Sequence, residues 1–178
     1  MSTSFERALD GFARGVADAT ITISEIPAPT FEEGERARYV HERLQTIGGW
    51  DELKMDSIGN VVERRRGESG KARVMIGAHL DTVFPDPITP VVRERGRLTG
   101  RGVGDNSVAV AALLGLAAAL QESPPDGIGD VLLVANVGEE GLGDLRGVRR
   151  LLRDYKDQFD AYLAIEGHSL NRIQTAFT

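Results

Sequence analysis

Cysteine is absent from this sequence. Its absence excludes disulfide frameworks, thiolate metal ligands and cysteine nucleophiles, and it is compatible with an intracellular location. A hydrophobic run of membrane-spanning length is also missing, because the longest one, residues 108–120, is shorter than the about 20 residues of a transmembrane helix. Small residues dominate that run, so we predict that it forms a buried helix.

Positive charge is scarce. The sequence has 21 Lys and Arg residues against 27 Asp and Glu residues, so the formal net charge is -6. Its one cationic cluster is Arg64–Arg66, which we interpret as the solvated end of a strand. Nucleic-acid binding depends on clustered basic residues and is therefore not expected. The N-terminal residues lack the pattern of a secretory signal, so we expect a cytoplasmic protein without a membrane partner.

The length of 178 residues suits one domain with a sizeable core. Helical periodicity and end signals predict helices at residues 5–23, 31–47, 106–121 and 145–155. Apolar runs bounded by turn residues predict strands at residues 52–56, 60–65, 73–78, 131–137 and 161–165. Thr30 and Glu33 have the spacing of a capping box for the second helix, and residues 84–104 are expected to form a loop. Strands that alternate with helices predict an α/β sandwich with mixed strand pairing.

The polar residues best suited to chemistry lie at the ends of predicted strands, where open α/β sheets bind ligands. They are His79, Asp81, Asp105, Glu139, Glu140 and Glu166. Residues two apart in a strand point to the same side, so Asp81 can hold the imidazole of His79 as a carboxylate holds many metal-ligating histidines. A structural His beside a turn-capping Asp explains the pair equally well.

The other candidates also have two interpretations each. Asp105 immediately precedes a predicted helix, where Asp is a preferred N-cap. Glu139 and Glu140 face opposite ways in an extended segment, so one can ligate a metal while its neighbour addresses a water, or both are simply solvated. Glu166 ends an apolar strand, where an ionised carboxylate is costly unless it is paired or bound to a metal.

Taken together, these carboxylates would bring several negative charges to one edge of the sheet, and like-charge repulsion opposes that arrangement. Divalent cations would relieve the repulsion. Oxygen and imidazole ligands without thiolate suit zinc, and manganese or cobalt is also compatible.

Four segments carry a resemblance to a known family: residues 77–83, 100–106, 137–141 and 164–167. In order and spacing they resemble the dinuclear zinc peptidase family of aminoacylases, glutamate carboxypeptidases and succinyl-diaminopimelate desuccinylases. Residues 26–33 are also similar to that family. The resemblance implies a three-layer αβα sandwich with a mixed, mostly parallel sheet, and a cis peptide bond after Asp105.

The resemblance also implies a role for each candidate. His79 and Glu166 would ligate one zinc, Glu140 the other, and Asp105 would bridge both. Asp81 would support His79. Glu139 would be the general base that takes a proton from a water shared by the metals, so that the resulting hydroxide attacks an amide carbonyl. The implied substrates are small peptides or N-acyl amino acids.

Family members are longer than this chain. We therefore expect residues 1–178 to be the N-terminal portion of a catalytic domain, without the lid domain, its dimer contact and the return segment that carries a last His ligand. His41 belongs to a predicted helix and His168 is not expected to replace that ligand. We expect an incomplete second metal site and weak or absent activity for the chain alone.

Two alternatives remain from the sequence. The chain is either an amide hydrolase or a non-catalytic, metal-binding remnant of one. A dinucleotide-binding module is a third and weaker interpretation, because Gly141, Gly143 and Gly147 depart from the spacing of the glycine fingerprint.

Overall fold

The computed structural model describes residues 2–85, 89–167 and 172–173. Its strands are β1 (Glu52–Met55), β2 (Val61–Arg65), β3 (Val74–His79), β4 (Val92–Glu94), β5 (Arg97–Thr99), β6 (Val131–Asn136) and β7 (Ala161–Ala164). Its α-helices are α1 (Ser4–Ala13), α2 (Val16–Ser24), α3 (Gly34–Ile47), α4 (Val108–Glu122) and α5 (Arg146–Asp154).

A mixed five-stranded sheet in the order β1-β2-β6-β3-β7 forms the centre of the protein. Strand β2 pairs antiparallel with both β1 and β6, whereas β3 pairs parallel with both β6 and β7. Four of the five strands therefore run in the same direction. Every residue of β6 is buried, as the continuous apolar run predicted for a central strand.

Apolar side chains cover both faces of this sheet. On one face, Leu133 and Ala135 of β6 pack in a cluster with buried residues of α2, α3 and α4. On the other face, Leu132 and Val134 pack with Leu151 of α5. Side chains that alternate along β6 thus enter two different cores, and the predicted three-layer αβα sandwich with a mixed, mostly parallel sheet is confirmed.

Helix α4 is the apolar segment whose burial was predicted. Residues 103–122 are long and apolar enough to cross a membrane by length and composition, yet 56% of an 18-residue apolar segment within them is buried inside the protein. Leu113, Ala117 and Leu120 of α4 belong to the larger core cluster. The prediction of a buried helix is therefore confirmed.

Several local predictions were wrong. The helical pattern over residues 5–23 is split into α1 and α2, with a break at Arg14 and Gly15. Helix α3 begins only at Gly34, and Thr30 and Glu33 do not form a capping box there, because both side chains bind distant residues instead. The predicted loop over residues 84–104 contains the β4–β5 hairpin.

The cationic cluster is also less solvated than predicted. Arg64 has 14% of its side chain exposed, and its guanidinium lies 3.4 Å from Glu52 and 3.5 Å from Asp130. It also lies 5.9 Å from the centre of the Tyr155 ring. The Arg64 side chain is therefore mostly buried, and it contacts Glu52, Asp130 and Tyr155.

Parallel pairing of β3 with β6 and β7 places the carboxyl ends of these three strands at one edge of the sheet. His79, the last residue of β3, is opposite Asn136, the last residue of β6, and Gly77 is opposite Ala164 at the end of β7. The residues that follow β6 and β7 therefore emerge beside His79. Glu139, Glu140 and Glu166 are among them.

Candidate metal centre

His79 is the centre of the group of polar residues at this edge. Its side chain is 2% exposed, and its Nε2 atom lies 2.9 Å from Oδ1 of Asp105 and 3.6 Å from Oε2 of Glu166. The ligand-type atoms of these three residues all lie within 4.8 Å of one another. The three side chains come from β3, from the turn before α4 and from the residues after β7.

Glu139 and Glu140 approach the same imidazole from the segment after β6. Their carboxylate oxygens and a ring nitrogen of His79 also lie within 4.8 Å of one another. His79 is therefore common to both groups. We call His79, Asp105, Glu139, Glu140 and Glu166 the candidate metal centre.

Asp105 does not cap a helix. It lies in an irregular turn, Val103–Ser107, and the bond between Asp105 and Asn106 is a cis peptide, as the resemblance implied. The Asn106 side chain donates a hydrogen bond to the carbonyl oxygen of Ile165 at 3.1 Å. This hydrogen bond ties the turn to the residue before Glu166, which brings the Asp105 and Glu166 carboxylates together at His79.

Asp81 is fully buried behind His79. Nδ1 of His79 lies 3.1 Å from the carbonyl oxygen of Asp81 and 3.5 Å from its Oδ1. The carboxylate of Asp81 also accepts the backbone amides of Glu139 at 2.9 Å and Glu140 at 3.0 Å, and the hydroxyl of Thr30 at 2.9 Å. Asp81 therefore contacts both the imidazole and the backbone of the Glu pair.

Burial and charge shift the pKa values of these groups in opposite directions. Burial alone would lower the pKa of His79, but the neighbouring Asp81 and Glu166 carboxylates raise it to about 10. Burial raises the pKa of Asp81, yet hydrogen bonds from His79, from the two amides and from Thr30 hold it at about 2. The site thus stabilises positive charge at its centre.

The two glutamates behave differently from Asp81. Burial raises the pKa of Glu139, and the like charges of Glu166, Asp81 and Asp105 add to this effect. Burial and the Asp105 charge likewise raise the pKa of Glu140. Repulsion among these carboxylates is what a divalent cation would relieve. One imidazole and several carboxylate oxygens without a thiolate are ligands that suit Zn²⁺, Mn²⁺ or Co²⁺, so the donor set fits such a cation.

Sequence reasoning missed the contribution of Thr30 and Glu33. The carboxylate of Glu33, which is buried, accepts the backbone amide of Gly138 at 2.9 Å, next to the Glu pair. The pattern Thr30-x-x-Glu33 was visible, but a local helix cap explained it without any distant partner. His41 lies in α3, and His168 lies outside the described residues.

Two glycines that follow β6, Gly143 and Gly147, allow close contacts between backbone segments. A Cβ atom at Gly143 would lie 2.6 Å from the carbonyl oxygen of Gly138, and one at Gly147 would meet the backbone of Val137. Close backbone contacts therefore explain Gly143 and Gly147, two of the three glycines on which the weak dinucleotide-binding interpretation depended.

Sequence comparisons extend these findings. The family described as Peptidase family M20/M25/M40 matches residues 75–176, which is more than half of the chain. A putative succinyl-diaminopimelate desuccinylase, DapE, of Mycobacterium tuberculosis is 31% identical over 150 residues, covering 84% of this chain and 41% of the relative. The succinyl-diaminopimelate desuccinylase of Acinetobacter baylyi is 28% identical over 131 residues, covering 70% of this chain and 34% of the relative.

Solved structures agree with the fold. Aminopeptidase PepT from Bacillus cereus matches with a TM-score of 0.71 at 19% identity, covering 86% of this chain and 43% of that one. YXEP of Bacillus subtilis, described as a dinuclear metal binding peptidase from the M20 family, matches with a TM-score of 0.63 at 16% identity, covering 88% and 43%. The chain thus spans about a third to two fifths of the length of the desuccinylases and peptidases it matches. The resemblance seen in the sequence motifs is confirmed, and the chain belongs to Peptidase family M20/M25/M40.

Proposed function

We propose that this chain provides the metal-binding part of a hydrolase that cleaves amide bonds in small peptides or N-acyl amino acids. The observation that carries the proposal is the position of His79, a nearly buried imidazole that faces carboxylates from separate parts of the chain. Relatives named desuccinylase and aminopeptidase support the same reaction class, since both names describe amide hydrolysis.

The proposed ligand set follows the resemblance. His79 and Glu166 would hold one metal ion, Glu140 would hold the other, and Asp105 would contribute a ligand to both. The short distances from His79 Nε2 to the Asp105 and Glu166 oxygens support the first half of this set. Zinc is the proposed ion, because imidazole and carboxylate ligands suit it. A bound divalent cation would supply a Lewis acid and lower the pKa of a water molecule.

Glu139 is the proposed general base. Its pKa is raised by burial and by neighbouring negative charge, which strengthens its tendency to take up a proton. In the proposed reaction Glu139 accepts a proton from the attacking water and then passes it to the departing amine. The amide of Glu139 is held by Asp81, so the backbone that carries this base has a fixed support.

This chain spans less than half of the Mycobacterium tuberculosis relative. Since the chain spans 41% of the Mycobacterium tuberculosis relative, hydrolysis is proposed for the whole enzyme and metal binding for this portion. Residues 1–178 are proposed as the N-terminal portion of the catalytic domain. A cytoplasmic location completes the proposal, supported by the absence of cysteine and by an apolar helix that packs into the core.

A calorimetric titration of Zn²⁺ into the metal-stripped chain tests the metal centre. We expect the parent chain to bind zinc tightly and His79→Ala to lose that binding, because the imidazole is common to both groups of ligands. His41→Ala, a histidine change in α3, is the matched control and should bind like the parent. Unchanged zinc affinity in His79→Ala would overturn the proposal.

A further inference from the structure

Two buried carboxylates accept hydrogen bonds from three consecutive backbone amides, those of Gly138, Glu139 and Glu140. Glu33 accepts the amide of Gly138 at 2.9 Å. Asp81 accepts the amides of Glu139 at 2.9 Å and Glu140 at 3.0 Å. The backbone that presents both glutamates is therefore held by side chains from two other parts of the chain.

The Glu33 side chain is buried and has several polar partners in this region. It is 3% exposed, and its Oε1 also accepts the amide of Phe31 at 3.0 Å. Its Oε2 lies 3.3 Å from the guanidinium of Arg146, which in turn lies 4.9 Å from the centre of the Phe31 ring. Two amides and one guanidinium thus compensate the cost of burying this carboxylate.

The hydrogen bond to Gly138 falls at the point where the chain turns. Gly138 has a φ of 60°, and a Cβ atom there would lie 2.5 Å from Nε of Arg146. The direction of the next two residues depends on the orientation of this peptide. Glu33 accepts a hydrogen bond from the amide of Gly138, the residue at which the chain turns.

We propose that Glu33 is a positioning residue, which fixes the turn at Gly138 so that Glu139 and Glu140 both face His79. This inference rests on the proposed function, since it assigns Glu33 a task for that same centre. It acts through the backbone and touches neither metal nor substrate. Partners of this kind contribute because a ligand that is free to move by about 1 Å loses much of its effect.

Cobalt titration tests the proposal on the metal-free chain, with Co²⁺ as the probe and its visible absorption spectrum as a report on ligand geometry. We expect Glu33→Ala to weaken Co²⁺ binding by on the order of 10-fold or more and to change the spectrum. Glu33→Gln keeps an oxygen that can accept both amides but places an amide nitrogen against the Arg146 guanidinium, so it should restore the parent spectrum with only part of the affinity. Glu32→Ala removes the exposed neighbouring carboxylate and should match the parent.

Urea unfolding of the same metal-free variants separates positioning from stability. A merely structural role for Glu33 would lower the free energy of unfolding and leave the cobalt spectrum of the folded protein unchanged, and that result would overturn the proposal. Equal binding by Glu33→Ala and the parent would overturn it as well. If Glu33→Ala does not fold, Glu33→Asp replaces it, because it keeps the charge but withdraws the oxygens by one methylene.

Amide hydrogen exchange distinguishes failure of this inference from failure of the metal centre. If the parent chain binds no Co²⁺, the proposed function fails, but exchange in the metal-free chain still tests Glu33. We expect the Gly138 amide to exchange on the order of 10-fold faster in Glu33→Ala than in the parent and in Glu32→Ala. An unchanged exchange rate at Gly138 would overturn the positioning role whatever the metal result.

Discussion

Oδ1 of Asp81 accepts the backbone amide of Glu139 at 2.9 Å. The same oxygen lies 3.5 Å from Nδ1 of His79. One buried carboxylate therefore fixes the distance between the imidazole at the end of β3 and the segment that follows β6. The two parts of the candidate metal centre are joined through a residue that is not one of its proposed ligands.

Asp81→Asn should weaken zinc binding by about 10–100-fold, the usual effect of changing a partner of a metal ligand. The Asn amide nitrogen is a donor, so it cannot accept both amides of the Glu pair as the carboxylate does. Calorimetric zinc titration measures the change. Asp56→Asn is a matched control, since Asp56 also accepts two backbone amides, those of Ile58 and Asn60, but in the turn between β1 and β2. Equal zinc affinity in Asp81→Asn and Asp56→Asn would contradict the prediction.

Asp105→Ala should abolish tight zinc binding if Asp105 is the bridging ligand. Its side chain is 53% exposed but lies 2.9 Å from Nε2 of the buried His79, so its removal should lower the free energy of unfolding of the metal-free chain by only about 0.5–1.5 kcal/mol. Zinc titration and urea unfolding measure the two effects separately. Asp126→Ala changes an exposed loop carboxylate and should affect neither. Unchanged zinc affinity in Asp105→Ala would remove the bridging assignment.

The candidate site could be predicted because all of its residues except Asp105 lie at or just after the ends of apolar strands. The runs before His79, Glu139 and Glu166 were visible in the sequence, and parallel pairing of β3 with β6 and β7 brings their carboxyl ends together. Short motifs in a fixed order also indicated the family. Both signals are local in sequence, so neither needed knowledge of distant contacts.

The roles of Thr30 and Glu33 could not be predicted, because they depend on contacts between residues far apart in the sequence. Thr30 and Glu33 matched a local capping pattern, but the Thr30 hydroxyl donates to Asp81 and the Glu33 carboxylate accepts the amide of Gly138. These tertiary hydrogen bonds, together with the one from the Phe31 amide to Glu33, take the place of the expected helix cap. The β4–β5 hairpin was missed because its residues are mostly exposed and show no apolar alternation.

Glu139→Gln and Glu140→Gln should separate the base from the ligand. A general base contributes about 10²–10⁴-fold to a rate, so Glu139→Gln should remove the proposed hydrolysis of an N-acyl amino acid. Zinc affinity of the chain should remain within about threefold of the parent, because binding does not require a base. Glu140→Gln should instead weaken zinc binding, since the proposed ligand charge is lost.

These neighbouring variants serve as controls for each other. Both replace one carboxylate by an amide in the same segment, and both backbone amides are held by Asp81. A large loss of zinc affinity in Glu139→Gln, with little change in Glu140→Gln, would reverse the two assignments.

Stability of the chain should depend on pH through Glu63, a residue of β2 that is 0% exposed and lies opposite Leu133 of β6. Burial raises the pKa of Glu63 from 4.5 to about 8, and the charge of Arg65 offsets only part of this rise. The folded state therefore holds a proton that the unfolded state releases at lower pH. The stability from this group is fully present below pH 4.5 and is lost progressively as the pH rises to about 8.

Glu63→Gln should remove this dependence, because Gln stays neutral. We expect the difference in the free energy of unfolding between Glu63→Gln and the parent to grow by up to about 1.4 kcal/mol per pH unit in that window. Urea unfolding of the metal-free chain at a series of pH values measures it. Glu94→Gln, at an exposed position of β4, should follow the parent curve. Parallel curves for Glu63→Gln and the parent would mean that Glu63 has the same pKa in the folded and unfolded chain, since taking the difference cancels every other titrating group that the substitution leaves unchanged.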